Sequence, residues 1–116
     1  MDNFSCTVNS AGRCAVAHLN GELDMSNVGR LTDRLKPLAM AGRDVVVNFS
    51  GLSFFGTAGL AALDELDRHA TAAGGSIRLT EVPAAVWRVL SLTGTRDRFH
   101  VEPVMPTPAG RARAWF

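Results

Sequence analysis

The sequence predicts an α/β sandwich: a mixed, mostly parallel sheet of four to five strands with helices, in the order β-β-α-β-α-β-α-β. Three observations carry that expectation. The first twenty residues hold two short alternating runs around a turn-forming Asn-Ser-Ala-Gly. Beyond them, aliphatic strand-like runs alternate with apolar residues at helical spacing, and strands separated by helices are joined by crossovers that keep them parallel. The chain has 116 residues, 47% of them hydrophobic and 20% charged, enough for one core and one domain.

Residues 3 to 8 alternate through Phe4, Cys6 and Val8, and residues 13 to 20 follow Asn9-Ser10-Ala11-Gly12, a β-hairpin pattern. Cys6 and Cys14 flank that turn. Their spacing excludes a metal site, and whether they face each other depends on a register the sequence leaves open. A cytosolic setting keeps such thiols reduced. Gly21-Glu22-Leu23-Asp24 reads as a polar turn around one buried leucine. Asp24 or Ser26 is then expected to cap a helix with Val28, Leu31, Leu35 and Leu38 on one face. Pro37 falls late in that helix and predicts a kink or a broken last turn; Gly42 ends it.

Val45-Val46-Val47-Asn48-Phe49 is a continuous run of the kind found in strands covered on both faces. A loop is expected over residues 50 to 56. The second helix buries Leu60, Leu63, Leu66 and Ala70 and turns Asp64, Glu65 and Arg68 outward, with Asp64 and Arg68 at ion-pair spacing. Gly74-Gly75 stops it, and Ser76 to Thr80 forms a strand through Ile77 and Leu79. Pro83 at the first position and Gly94 just past the end bracket a third helix, with Val86, Val89, Leu90 and Thr93 inward. Residues 99 to 101 make a short last strand. Pro103, Pro106 and Pro108 rule out further sheet, so the domain spans residues 1–102 and a Pro-rich tail spans 103–116. In that tail Arg111, Arg113, Trp115 and Phe116 form either a docking peptide or an aromatic end that packs back or moves freely.

Several function classes are unsupported. Twelve basic residues against eleven acidic ones leave a net charge of +1, with no footprint for direct nucleic-acid binding. No apolar run reaches the roughly 18–20 residues that cross a bilayer, and Met1-Asp2-Asn3-Phe4 lacks signal-peptide layout, so a cytoplasmic protein without membrane insertion is expected. His18, His69 and His100 are scattered. There is no His-x-x-x-His pair, no Gly-x-Ser-x-Gly elbow and no phosphate-binding glycine loop. Glu22 and Asp24 read as turn and cap acids. No catalytic residue, metal or cofactor is expected.

Phe54-Phe55-Gly56-Thr57-Ala58-Gly59-Leu60 places one hydroxyl between two glycines where a helix begins. Thr57 reads as an N-cap, its oxygen accepting from a backbone N–H of the first turn. The same geometry suits a phosphoacceptor, since an added phosphate would meet the positive end of the helix dipole. The residues alone leave both readings open.

With Gly21-Glu22-Leu23-Asp24 and the stretch from Val45 to Leu60 in place, the chain resembles the STAS-domain anti-sigma-factor antagonists of bacteria over nearly its whole length. The first motif is similar to that family's Gly-Glu-Leu-Asp turn. The second is similar to its strand, Asp-Leu-Ser-Gly loop and Asp-Ser-Ser-Gly-Leu or Asp-Ser-Thr-Gly-Leu phosphorylation motif. The resemblance implies a STAS-like sandwich and a non-enzymatic binding protein. Its partner would be an anti-sigma factor that is commonly also a serine/threonine kinase, with a phosphatase to reset it and a homodimer as a further state. It implies phosphorylation at Thr57 and a partner-binding surface of Glu22, Asp24, Ser53, Gly56, Thr57, Ala58, Gly59, Asp64 and Arg68.

The chain departs from the family pattern at Gly56, where aspartate is frequent, at Ala58, which removes the second hydroxyl, and at Asn48, which replaces a common aspartate at the strand end. An alternative within the family is a non-phosphorylated scaffold subunit, for example of a lipid-transport ATPase complex, whose hydroxyl-Ala-Gly-Leu motif Thr57-Ala58-Gly59-Leu60 fits.

Overall fold

The computed structural model describes residues 3–94 and 99–102. Strands Phe4–Ala11 (β1) and Cys14–Leu23 (β2) open the chain as an antiparallel hairpin. Its two-residue turn is Gly12-Arg13, later than the expected Asn9 to Gly12, because a tight hairpin turn needs positive φ and Gly12 supplies it at 57°. Cys6 lies opposite Leu19 and Cys14 opposite Ala11, so the two thiols occupy different rungs and are free.

The remaining elements are α1 (Val28–Met40), β3 (Asp44–Phe55), α2 (Thr57–Ala72), β4 (Ser76–Thr80), α3 (Ala84–Leu92) and β5 (His100–Glu102). The strands form one sheet in the order β1-β2-β3-β4-β5, antiparallel at the hairpin and parallel elsewhere, as the sequence predicts. Each crossover steps the same way across the sheet, and right-handed connections then put the helices on one face. The core reflects this: Leu31 and Leu35 of α1, Leu63 and Leu66 of α2, and Val86 and Leu90 of α3 share one cluster with Val45, Val47 and Phe49. Val16 and Val46, buried on the opposite face by strand alternation, lie outside that cluster. Among the described residues, no helix is long and apolar enough to cross a membrane.

Several local expectations change. Residues 50 to 55 are strand rather than loop, and Gly21-Glu22-Leu23 belongs to β2 rather than to a turn; register shifts between His18 and Asn20 and between Gly21 and Glu22 let the two strands run together to Leu23 and Phe55. Of the kink or broken last turn expected at Pro37, the broken turn does not occur: α1 runs on to Met40, with the Ala41 amide donating to the Pro37 carbonyl at 3.1 Å. Pro37 is exposed, so the hydrogen bond its ring forgoes lies on the solvent-facing side of the helix. Pro83 is the N-cap of α3 rather than its first residue. Thr93 faces out, its hydroxyl donating to the Val89 carbonyl at 2.7 Å, while Trp87 packs against the core. The expected tail over residues 103–116 lies outside the described residues.

Strand β4 pairs with β3 only from Asp44 to Asn48. Where β4 leaves, Asn48, only 5% exposed, bridges the gap: its Oδ1 accepts from the Ser50 amide at 2.8 Å and its Nδ2 donates to Glu81 Oε2 at 3.2 Å. The second bond requires an amide, since an aspartate there would present one carboxylate to another. Asn48→Asp is therefore expected to cost about 1–3 kcal/mol at neutral pH, with part of the loss recovered on acidification as the added carboxyl protonates. Urea unfolding of both proteins at several pH values measures this.

Candidate functional site

Strand β3 and helix α2 are joined by one residue, Gly56, which is the N-cap of α2 with φ −95° and ψ 179°. Its amide donates to the Leu23 carbonyl at 3.1 Å, and its carbonyl accepts from Gly59 at 3.1 Å and Leu60 at 3.3 Å. The end of β2, the end of β3 and the start of α2 thus meet at one residue. Below this junction Phe55 packs edge-on against Phe49, with ring centroids 5.6 Å apart and planes at 77°. Gly59 is buried against them: a Cβ there would stand 2.7 Å from the Phe55 ring and 2.8 Å from a Leu23 methyl.

Thr57 is the first helical residue and is exposed. It is not the cap. The strand continues through Phe55, so the helix begins one residue earlier than a loop would allow, and glycine takes the cap position. No side chain caps α2, and its first turn holds no acidic residue, which leaves the positive end of its dipole without a counter-charge from its own first turn.

The other predicted residues divide into near and far groups. Glu22 is exposed and pairs across the sheet with Phe54. Ser53 is exposed, its hydroxyl donating to the Gly21 carbonyl at 3.1 Å. Asp24 opens the turn that leads into α1: its Oδ1 accepts from the Ser26 hydroxyl at 2.6 Å and the Ser26 amide at 2.9 Å. The cap of α1 is neither of these residues but Asn27, whose side chain faces back to accept from the Asp24 amide at 3.0 Å and donate to the Glu22 carbonyl at 2.8 Å. Ala58 is half-buried and Gly59 fully so, so Gly59 supports the site from beneath rather than offering it a surface. Asp64 and Arg68, ion-paired at 2.8 Å, fall on the same stripe of α2 as Thr57, about 10 and 16 Å along the axis at helical rise. Among the described residues, no group of three or more His, Cys, Asp or Glu is placed to hold a metal ion.

Sequence reasoning missed two residues here. Phe54 is 53% exposed and Met25, in the turn after β2, is 84% exposed. Strand alternation would have found Phe54, because consecutive aromatics in a strand must point to opposite faces; reading the segment as loop hid it. Met25 left no signal beyond its place in a polar turn.

This is an α/β sandwich with its described helices on one face, displaying an exposed Thr57 at a helix start beside a glycine cap against which the ring of the exposed Phe54 lies. The chain belongs to the STAS domain family: the family described as "Mlab, STAS domain" matches residues 6–103. It is similar to Osmosensory protein A of Mycobacterium tuberculosis, 31% identical over 91 residues; the match covers 78% of this chain but only 56% of that relative's length. It is similar to the anti-sigma-B factor antagonist of Bacillus subtilis, 26% identical over 80 residues, covering 69% of this chain and 73% of that protein. Among solved structures, the Bacillus cell fate determinant SpoIIAA in the phosphorylated form superposes with a TM-score of 0.70 at 20% identity, over 88% of this chain and 93% of that one. At that identity the likeness is one of fold.

The Ser26 hydroxyl and amide, both donating to Asp24, together with the weaker influence of the Asn27 amide, hold the Asp24 carboxyl below its ordinary value of 3.8. A carboxyl lowered in the folded state stabilises the turn above its unfolded pKa, and that contribution disappears as pH falls through the lower folded value. In a carbonyl-detected NMR titration, Asp24 is expected to have its midpoint below 3.8, and Ser26→Ala to move that midpoint upward.

Proposed function

We propose that the chain is an anti-sigma-factor antagonist. It occupies an anti-sigma factor that carries serine/threonine kinase activity, thereby freeing a sigma factor for transcription, and it loses that partner when Thr57 is phosphorylated. The observation that carries the reading is Thr57 itself: an exposed hydroxyl at the first position of α2, with the end of β2 tied to its cap. The likeness to the Bacillus anti-sigma-B factor antagonist and to SpoIIAA in its phosphorylated form supports it. The binding domain is residues 1–102 and its setting is the cytoplasm. The chain is a substrate of the kinase and of a resetting phosphatase, and turns nothing over itself.

The partner-facing surface has a physical logic. Phe54 and Met25 offer exposed apolar area, the kind of anchor that dominates interface energetics when desolvated. Glu22, paired with Phe54 across the sheet, and the nearby Ser53 and Asp24 supply polar side chains for a rim, while Gly56, Ala58 and Gly59 keep the helix start free of bulky side chains. Asp64 and Arg68 extend the surface along α2.

In the switching step the Thr57 hydroxyl oxygen attacks the γ-phosphorus of ATP. The bond from that phosphorus to the bridging oxygen of the β-phosphate breaks, ADP leaves, and the hydroxyl proton passes to a base of the kinase. The product carries a charge of about −1.5 to −2 at neutral pH. In the free protein this charge sits at a helix N-terminus, a placement worth about 0.3–1 kcal/mol at an exposed site, so the fold tolerates it. In the complex the same charge is desolvated beside Phe54 and near Glu22 and Asp24, and binding weakens. The selectivity of the switch thus comes from the interface and not from unfolding.

Incubation with the cognate kinase and ATP, followed by mass spectrometry, is expected to add one phosphate at Thr57 and none to Thr57→Ala. Thr57→Glu is expected to weaken partner binding at least tenfold. A chain that stays unmodified while still binding would sink the switch and leave a constitutive scaffold. Independently, Phe54→Ser is expected to weaken binding about tenfold, near 1.4 kcal/mol, without lowering the melting temperature, as isothermal titration and calorimetric scanning would show.

A further inference from the structure

Among the described residues, the buried polar side chains are Asn27, Asn48 and Thr80. Asn48 answers Glu81, and Asn27, 6% exposed, answers the end of β2. Asn27 stands at the N-cap of α1, where an asparagine ordinarily accepts from an amide of the helix's own first turn, yet it makes no such bond. Its side chain turns back instead: Nδ2 donates to the Glu22 carbonyl at 2.8 Å and Oδ1 accepts from the Asp24 amide at 3.0 Å. Between those two residues lies Leu23, fully buried, whose carbonyl accepts from the Gly56 amide at 3.1 Å. The carbonyl of Gly56 in turn accepts from Gly59 and Leu60 in the first turn of α2.

The Leu23 carbonyl and the Asp24 amide are the two ends of one peptide unit. That unit is planar and trans, so it turns only as a rigid plate with its N–H and C=O pointing opposite ways. Asn27 holds one end of the plate, and Gly56 is bonded to the other. The preceding plate, from the Glu22 carbonyl to the Leu23 amide, is held by the same side chain. Away from water, hydrogen bonds in such a series polarise and strengthen one another. Taking Thr57 as the residue a kinase modifies, as proposed above, we infer that Asn27 is its positioning residue: acting through the Leu23–Asp24 peptide, it sets the place of Gly56 and so of Thr57, the next residue. Asn27 also closes the turn that carries Met25. The Met25 turn and the Phe54 to Thr57 segment are thereby locked together before a partner arrives, and a surface ordered in advance binds without the entropy loss of ordering. Without Asn27 the kinase must order the chain as it binds, which raises KM and leaves kcat unchanged.

Amide hydrogen exchange followed by NMR tests the relay without any partner. Asn27→Ala is expected to speed exchange at Gly56 about tenfold more than at Val46 and Leu79, which report the stability of the whole sheet. Asn27→Asp keeps an acceptor for the Asp24 amide and is expected to restore most of the protection. With the cognate kinase, Asn27→Ala is expected to raise KM for the chain about tenfold at unchanged kcat. If Asn27→Ala does not fold, Asn27→Ser, whose side chain is too short to reach both backbone groups, takes its place. Three exchange results would each overturn the inference: a Gly56 rate unchanged from the unaltered chain, one that rises only in step with Val46 and Leu79, or one no slower in Asn27→Asp than in Asn27→Ala. A fall in kcat at unchanged KM would overturn it as well. An unaltered chain that the kinase leaves unmodified sinks the reading of Thr57, whereas the relay stands or falls on the exchange rates alone.

Discussion

The approach of α2 to the ends of β2 and β3 is the constraint on which the rest of the site depends. It is set by Gly59, whose missing side chain leaves the space filled by the Phe55 ring and a Leu23 methyl. Leu23 and Phe55 are paired neighbours in the sheet, and both are buried. Three chain segments distant in sequence therefore share one packing contact, and the Gly56 amide fixes their alignment through the Leu23 carbonyl. The exposed residues above, Thr57 and Phe54 included, take their positions from this buried seat. A side chain added at Gly59 would shift the whole helix start, since interiors packed at crystal-like density have little slack to absorb it.

The order of elements was legible because hydrophobic period and glycine or proline punctuation agree along most of the chain. Val45 to Phe49 and the Leu60-Leu63-Leu66-Ala70 stripe are unambiguous, and both are buried as expected. The errors fall where pairing partners decide the conformation. Ser50 to Phe55 carries serine and glycine and reads locally as loop; it is strand because β2 continues alongside it, and no residue in the segment announces that partner. Gly21 to Leu23 was misread for the same reason. The caps moved with the strands: once β3 extends to Phe55, Gly56 must begin the helix and Thr57 becomes its first residue.

For the candidate site, the motif residues were legible and the exposed apolar residues were not. Two motifs far apart in sequence, Gly21 to Asp24 and Gly56 to Leu60, were read separately, and the β2–β3 register brings them together. Phe54 and Met25 add the exposed apolar area that the motifs do not encode. Asn48 is a different case. It stands where the resemblance expects an aspartate, and its side chain is buried and donates to Glu81, a residue held at φ 51° just past the end of β4. The substitution is a local structural adjustment matched to a neighbour.

The short reach of β4 gives the molecule an uneven stiffness. Up to Asn48 each rung of β3 is held by a strand on both sides; from Gly51 to Phe55 it is held by β2 alone. The helix start carrying Thr57 is thus mounted on a cantilever that narrows to three strands at Gly51 and Leu52, where β1 still pairs with β2, and to two at Phe54 and Phe55. Segments with fewer neighbours open at lower free energy than the cores they extend, so the cantilever is the part that yields first when something presses on its tip. The sandwich behind it keeps its shape.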